Sequence, residues 1–499
     1  MERVMPKTEQ LPYALYRAEQ VRALDRATID EFGIPGSELM ARAGAAAFAQ
    51  LCERWPDATD VTILAGTGNN GGDGFVVAEL ARQAGMTVRV LQLGNPERIS
   101  GDARHHARVY TEAGGPWQAF DGNLPRTDVI VDALLGTGLE RPLEGAWADA
   151  VHAINQARVA VLALDIPTGL HADTGSVLGS AVRADVTVTF IGMKQGMCTG
   201  EGPACCGELV FDALEIPAQV YARQVHSARR LDWAKQSKQL QPRNRSAHKG
   251  HFGHVLVVGG ELGMGGAARM AGEAAARSGA GLVSLATQPE NVPAIIAARP
   301  ELMAHGTTAA RQLTPLLRRA SVVAIGPGLG QGEWGSALWA WVCDSGLPLV
   351  VDADALNLLA ANPQRREDWV LTPHPGEAAR LLGTSSAAIQ ADRFAAAQTL
   401  VQQFGGVVVL KGAGSIVASA GYRPVAVCSD GNPGMASGGM GDVLTGIIAG
   451  LLAQGHAPQD AAELGVCLHG AAADLAARDG ERGLLASDLL AEIRPLANP

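Results

Sequence analysis

In the first half of the chain, short runs of apolar and largely β-branched residues recur with helix-length mixed stretches between them. They are VTILAG from Val61, TVRVLQLG from Thr87, DVIVDALLG from Asp128, VAVLALDIP from Val159, DVTVTFIGMK from Asp185 and ELVFDALEIP from Glu208. Runs that are apolar at successive positions belong to strands buried on both faces, so the pattern predicts a parallel sheet covered by helices. Two stretches in front of it, Tyr16 to Glu31 and Ser37 to Trp55, read as helices, the second with Ser37 as its cap. Such an extension can close one side of a site or make a dimer, and a homo-oligomer is the expectation.

Between Pro217 and Gly253 the pattern lapses into a polar, basic stretch, and a fresh series follows it. The new runs are HVLVVGG from His254, GAGLVSLAT from Gly279, VVAIGPGLG from Val322, PLVVDADAL from Pro348, WVLTPHPGE from Trp369 and VVVLKGAGS from Val407. The series ends in SGGMGDVLTGIIAGLLAQG from Ser437, where glycines run into a long apolar helix. The lapse reads as a linker, which places a domain boundary near residue 228 and divides 1–227 from 228–499. Both halves read as open α/β sheets.

Composition narrows the function. A chain of 499 residues exceeds one ordinary core. A formal charge of −10 argues against a dedicated nucleic-acid binder, which needs a basic face to neutralise phosphates. The opening MERVMPKTEQ lacks the apolar segment of a signal peptide, and nowhere does the sequence offer the roughly 18 uncharged apolar residues that span a bilayer. A cytoplasmic location with no membrane partner is therefore expected. Seven cysteines fit a reduced compartment better than a disulfide framework, and Cys198, Cys205 and Cys206 match no common zinc spacing.

Ligands of open α/β sheets sit beyond the carboxyl ends of the strands, so those ends carry the candidate chemistry. After the first run comes GTGNNGGDGF, in which Gly66, Gly68 and Gly71 spell the dinucleotide fingerprint G-x-G-x-x-G. Glycine amides and a following helix can hold a phosphate. A coenzyme site would also want an acidic residue closing the second strand, and TVRVLQLG ends in leucine and glycine. Asp132 and Asp165 follow strong apolar runs as turn residues or as functional carboxylates. With Asn70 and Thr168 they offer hard oxygen ligands of low total charge, suited to a weakly held cation, or else groups for proton transfer.

In the second half, Gly439, Gly441 and Asp442 stand at a helix start. Amides and helix dipole there can stabilise a phosphoryl group while Asp442 takes a proton, although an aspartate at that position also simply complements the dipole. KGAGS can cradle phosphates, and TPHPGE holds His374 and Glu377 beyond a strand end. No G-x-x-x-x-G-K-[ST] motif is present, so a P-loop fold is not indicated.

The set NNGGDG, VDALLGTG, LDIPTG and FIGMKQG resembles the NAD(P)H-hydrate epimerase domain over roughly the first 220 residues. That resemblance implies substrate contacts at Asn69, Asn70, Gly71, Gly72 and Asp73, at Gly136, Thr137, Gly138, Leu139, Glu140, Arg141 and Pro142, and at Asp165. It implies potassium on Asn70, Asp132 and Thr168, with Asp165 and Lys194 as catalytic groups. The set GPGLG, TPHPGE, KGAGS and GGMGD resembles the NAD(P)H-hydrate dehydratase family from about residue 230 onward. It implies nucleotide contacts at Lys411, Gly412, Ala413, Gly414, Ser415 and Gly441, and hydrate contacts at Ala267, Gly328, His374 and Asp442. The related kinases suggest magnesium at Glu377. Together the resemblances imply an N-terminal Rossmann-like three-layer domain followed by a ribokinase-like α/β domain. They imply NADHX and NADPHX as substrates, and ADP or ATP as co-substrate. A small-molecule kinase fused to a nucleotide-binding or scaffolding domain stays open beside this reading.

Overall fold

Alternation along the buried strands decides the layering. In the strand Asp60–Ala65, Val61, Ile63 and Ala65 pack with the helices Gly36–Arg54, Asn69–Gln83 and Gly101–Glu112. Leu64 points the other way, toward the helix Ala146–Gln156 through Val151 and Ile154. Both faces are thus dry, as continuous apolar runs require. The computed structural model describes residues 11–498 apart from Tyr422, so the decapeptide MERVMPKTEQ read for a signal segment lies outside the described residues. The chain forms two units, Met1–Arg229 and Arg230–Pro499.

In the first unit seven parallel strands lie in the order Trp117–Ala119, Thr87–Gln92, Asp60–Ala65, Val129–Ala133, Ala160–Leu164, Val186–Phe190, Glu208–Asp212. The chain winds outward in one direction, then reverses between Asp60–Ala65 and Val129–Ala133. That reversal opens a crevice at the carboxyl ends of these two strands. The expected leading helices form as Ala18–Asp30 and Gly36–Arg54. Ser37 is not the cap of the second. Pro35, held extended at φ −59° and ψ 142°, occupies the N-cap, and Ser37 is already helical. A proline fixes the required φ two residues before the hydroxyl could act.

The second unit orders its strands as Met303–Gly306, Leu282–Thr287, His254–Val258, Val322–Ile325, Leu349–Val351, Trp369–Leu371, Val407–Leu410, Ser415–Ser419, Val425–Cys428. The first seven run parallel and the last two are antiparallel. KGAGS is therefore a hairpin turn, with Ser415 opening the return strand, and no helix follows it. The polar stretch expected as a linker is partly built in: the chain passes between the units inside the strand Ala228–Leu231, where buried Arg230 pairs with Asp232 at 2.8 Å.

Glycines let two helices of the second unit touch. A Cβ at Gly446, in the helix Met440–Ala453, would stand 2.1 Å from the carbonyl oxygen of Ala271 in the helix Gly265–Arg277. Backbone cannot yield as a side chain does, so Gly446→Ala should cost roughly 1–3 kcal/mol despite its better helix propensity. The check is a lower urea midpoint for this unit; an unchanged midpoint contradicts the close crossing. All seven cysteines are free thiols, and no described helix is long and apolar enough to cross a membrane.

Candidate active sites

At the first crevice the helix Asn69–Gln83 starts directly after Gly68, so the motif NNGGDG is its first turns and not a preceding loop. Its glycines answer packing needs. A Cβ on Gly66 would meet the Leu134 carbonyl oxygen at 1.8 Å, and one on Gly71 would meet the Gly66 oxygen at 2.1 Å. Gly72 abuts Met40. The letters of the dinucleotide fingerprint recur because a helix must approach the strand end closely. The second strand closes on Gln92 and Leu93, with no carboxylate to grip a ribose.

A cavity of about 390 Å³ lies here, and its wall includes Asn69, Asn70, Asp73, Gly136, Thr137, Gly138 and Asp165. The structure thus gathers most of the first set of expected contacts. Leu139 turns inward to the apolar layer with Leu143, while Glu140, Arg141 and Pro142 are exposed beyond the wall.

Asp132, fully buried, accepts hydrogen bonds from the Thr168 hydroxyl at 2.7 Å, the Thr168 amide at 2.8 Å and the Leu134 amide at 3.2 Å. Burial outweighs these donors and pushes its carboxyl up to about 6. Both polar atoms of the Asn70 amide are buried without a partner. An orphaned buried carbonyl oxygen beside this cavity fits a cation ligand, and a cation would hold Asp132 ionised. Potassium therefore fits Asn70, Asp132 and Thr168.

Asp165 has φ +64°, a left-handed backbone that is rare for a residue with Cβ. Its carboxylate accepts a charged hydrogen bond from Lys194 Nζ, which also donates to Thr189 Oγ1 at 2.9 Å and to the Phe190 carbonyl at 3.3 Å. Lys194 is fully buried, so its charge is committed to this cluster. Two further carboxyls share the cavity. Burial raises Asp73 well above the carboxylate range, and Asp165 and Asp25 add to it. Burial and then Asp165 push Asp25 up to about 6, against the pull of Lys194. Asp25 has no signature in the sequence: it is one charged residue among several on an ordinary amphipathic helix.

In the second unit Gly439, at φ +92°, forms the N-cap of the helix Met440–Ala453, so Gly441 and Asp442 occupy its first turn. A Cβ on Gly441 would lie 3.2 Å from Lys411 Nζ and 3.4 Å from Asp352 Oδ2. Lys411 Nζ donates to Asp352 Oδ1 at 2.7 Å, and Thr445 Oγ1 donates to Asp352 Oδ2 at 2.9 Å. Burial raises the Asp352 carboxyl, but the charge and hydrogen bond of Lys411, with the hydroxyls of Thr445 and Thr372, hold it below its usual value. Asp442 goes the other way: burial and then Asp352 push it up to about 7. Asp352 was not legible as a site residue, because at a strand end it reads as the N-cap of the helix Ala353–Ala361, a position it does hold.

His374 and Glu377 form a reciprocal cap on the helix Pro375–Leu381: His374 Nδ1 accepts from the Gly376 amide at 2.9 Å, and Glu377 Oε2 accepts from the His374 amide at 2.7 Å. Glu377 Oε2 also lies 3.7 Å from Lys411 Nζ, and Oε1 lies 3.4 Å from His374 Nε2. Oε2 is engaged in organising the loop, while Oε1 accepts no hydrogen bond among the described residues and leaves Glu377 able to serve as a metal ligand. Burial lowers the His374 imidazole below its usual value despite Glu377. In the hairpin turn, Gly412 has φ +146° and Gly414 φ +62°. Arg393 Nη2 donates to the carbonyls of Leu410, Lys411 and Gly414 at 3.2–3.4 Å, which orients the turn, Ala413 and Ser415 included. Gly328, at φ +58°, is packed so closely that a Cβ would lie 3.3 Å from Ala267 Cβ, which brings those two expected hydrate contacts together.

A cavity of about 1020 Å³ in this unit lies elsewhere, against Arg243, Phe252, Glu273 and Arg494. Volume and chemistry disagree. The strand-end cluster is the candidate site, because among the described residues of this unit it joins a helix N-terminus, a lysine and a carboxyl raised into the neutral range.

Comparison with known proteins matches residues 255–495 to the NAD(P)H-hydrate dehydratase family model and residues 36–196 to that of the YjeF-related protein N-terminus. The Bifunctional NAD(P)H-hydrate repair enzyme Nnr of Coxiella burnetii is 50% identical over 97% of this chain and 99% of its own length. The enzyme of the same name from Escherichia coli strain K12 is 46% identical over 98% and 95%. Among solved structures, a ribokinase-like superfamily protein of Enterococcus faecalis V583 is 30% identical, with a TM-score of 0.52 over 55% of this chain and 96% of its own. Two sites on two α/β units, matched end to end at half identity, place the chain in the family of bifunctional NAD(P)H-hydrate repair enzymes.

Proposed function

We propose that the first unit interconverts the two epimers of hydrated NADH and NADPH, and that the second dehydrates one of them at the expense of ADP or ATP. The observation that carries this reading is that one chain carries two separate strand-end clusters of titratable groups. One gathers carboxyls around an aspartate–lysine pair, and the other sets a near-neutral carboxyl at a helix start.

Hydration places a hydroxyl on the ring carbon next to nitrogen, a centre of either hand. Hydroxide leaves poorly, whereas phosphate leaves readily when the nitrogen lone pair pushes. Asp442 takes the hydroxyl proton, the terminal phosphoryl passes to that oxygen, and phosphate is eliminated to restore NADH or NADPH. Lys411 and the first-turn amides around Gly441 face the phosphoryl in flight. In the first unit Asp165 serves as the base. Potassium held by Asn70, Asp132 and Thr168 would supply a fixed positive charge beside the substrate pocket.

Mixed epimers supplied with ADP or ATP test both halves. Complete return of NADH absorbance with release of phosphate is expected. Conversion that stops at one epimer removes the epimerase, and a stable phosphorylated product points instead to a kinase.

Asp352 gives a sharper prediction about pH. Its charge raises Asp442, and a base works only when ionised, so dehydration rises with pH through about 7. Removing that charge in Asp352→Asn lowers the Asp442 value, and the acid limb of kcat should move to lower pH. A limb that stays in place, measured from pH 5 to 9, contradicts the coupling.

A further inference from the structure

We propose that Asp25 is the proton donor that works opposite Asp165 in the first site; the proposal rests on the epimerase reading and deepens it.

Asp25 lies on the helix Ala18–Asp30, which buries Val21, Leu24, Ala27 and Thr28. The helix is pinned over the catalytic end of the sheet. Its first amide, on Ala18, donates to Asp173 Oδ1 at 2.7 Å, and Gly192 is tucked so close that a Cβ there would lie 3.0 Å from Val21 and 3.6 Å from Leu24. Gly192 stands two residues before Lys194, so this contact seats the helix beside the strand end that carries the aspartate–lysine pair. The side chain lines the same cavity as Asp165 and Asp73.

Ordinary duties for a helical aspartate are missing. Among the described residues no group donates a hydrogen bond to the Asp25 carboxyl, and it forms no ion pair. Arg22, one turn earlier, sends its guanidinium to the Thr137 carbonyl at 3.4 Å instead. A half-buried carboxyl left unpaired in a ligand-sized cavity is costly unless it acts there. The charged and titratable groups around it are Asp165 and Lys194 at the sheet end, Asp73 on the glycine-rich helix, Asp102 at the rim and Arg22 on its own helix. Burial first, and then Asp165 against the weaker pull of Lys194, makes Asp25 and Asp73 retain protons more readily than free carboxyls. Burial, with Asp165 and Asp25 adding to it, raises Asp73 well above the carboxylate range, while Asp25, pushed to about 6, exchanges its proton near working pH.

Epimerising a carbon that bears both hydroxyl and ring nitrogen needs a base and an acid together. Asp165 takes the hydroxyl proton as the carbon–nitrogen bond breaks and a carbonyl forms, and the departing nitrogen takes the proton of Asp25. Rotation about the adjacent carbon–carbon bond presents the other carbonyl face. Nitrogen then attacks that face and returns its proton to Asp25, and the alkoxide recovers its proton from Asp165. Nothing is consumed, and both groups end as they began.

The test uses the full chain and one purified epimer without nucleotide, so that the second site is silent. Asp25→Asn should slow epimer interconversion about 100-fold or more, as loss of a general acid does. With nucleotide added, dehydration of the accepted epimer should be unchanged, and an unchanged urea midpoint of the first unit certifies its folding. The wild-type rate should fall as pH rises through about 6 to 7, as the donor loses its proton, and this alkaline limb should vanish in Asp25→Asn. Asp25→Glu should keep the limb. If the wild type fails to interconvert epimers, the epimerase reading itself fails. If Asp25→Asn keeps the wild-type rate, or slows while keeping the alkaline limb, Asp25 is not the donor.

Discussion

Asp442→Asn is expected to cut nucleotide-dependent dehydration by about 10²–10⁴-fold while leaving nucleotide binding within a few fold. Three influences act on this carboxyl. The helix N-terminus favours its ionised form by about 0.3–1 kcal/mol, less than one pKa unit at about 1.4 kcal/mol. Burial and the ionised Asp352 push the other way and win, carrying it from 3.8 to about 7. A carboxyl that only complemented the dipole would sit low. One held near neutrality is half ionised at working pH and strong enough to take a proton from a hydroxyl. Asparagine keeps the volume and the helix start but cannot accept that proton. Calorimetric titration with ADP or ATP, run beside the rate of NADH return, checks both halves; near-normal turnover in Asp442→Asn would remove the base from the mechanism.

The strands that carry these sites were legible because parallel strands buried on both faces show as unbroken apolar runs. All twelve runs form strands. The missed ones sit where that signal is absent: Trp117–Ala119 is a largely exposed edge, Met303–Gly306 is another, and the return strands Ser415–Ser419 and Val425–Cys428 were masked by the phosphate-cradle reading of KGAGS. Asp132, Asp165 and Asp442 could be found because a carboxylate after an apolar strand or at a glycine-rich helix start breaks pattern. Asp25 breaks none, and Asp352, which also follows an apolar strand, was passed over. One sits beside the apolar stripe of an amphipathic helix and the other at a legitimate N-cap, so only their convergence in space distinguishes them. The fingerprint glycines 66, 68 and 71 mislead for a physical reason. Close approach of helix to strand demands the same small residues whether the guest is a coenzyme or a damaged one.

Asp165→Asn should abolish epimer interconversion, a loss of about 10²-fold or more, so that a mixed substrate stops at the epimer the second site rejects. Asparagine is the informative replacement because it tolerates the left-handed backbone at φ +64° better than alanine, so a lost rate reports chemistry and not a collapsed turn. The substitution also strands Lys194, which is fully buried and keeps only Thr189 Oγ1 and the Phe190 carbonyl as acceptors. Breaking a buried pair on one side costs about 3–5 kcal/mol, chiefly through the uncompensated charge. Stability and catalysis therefore separate in a second variant. Asp165→Asn combined with Lys194→Met removes the orphaned charge and should recover much of the lost stability in urea, yet interconversion should stay absent. Full epimerase activity in the double variant would show that the pair serves the fold alone, whereas stability regained without activity assigns Asp165 to the reacting hydroxyl.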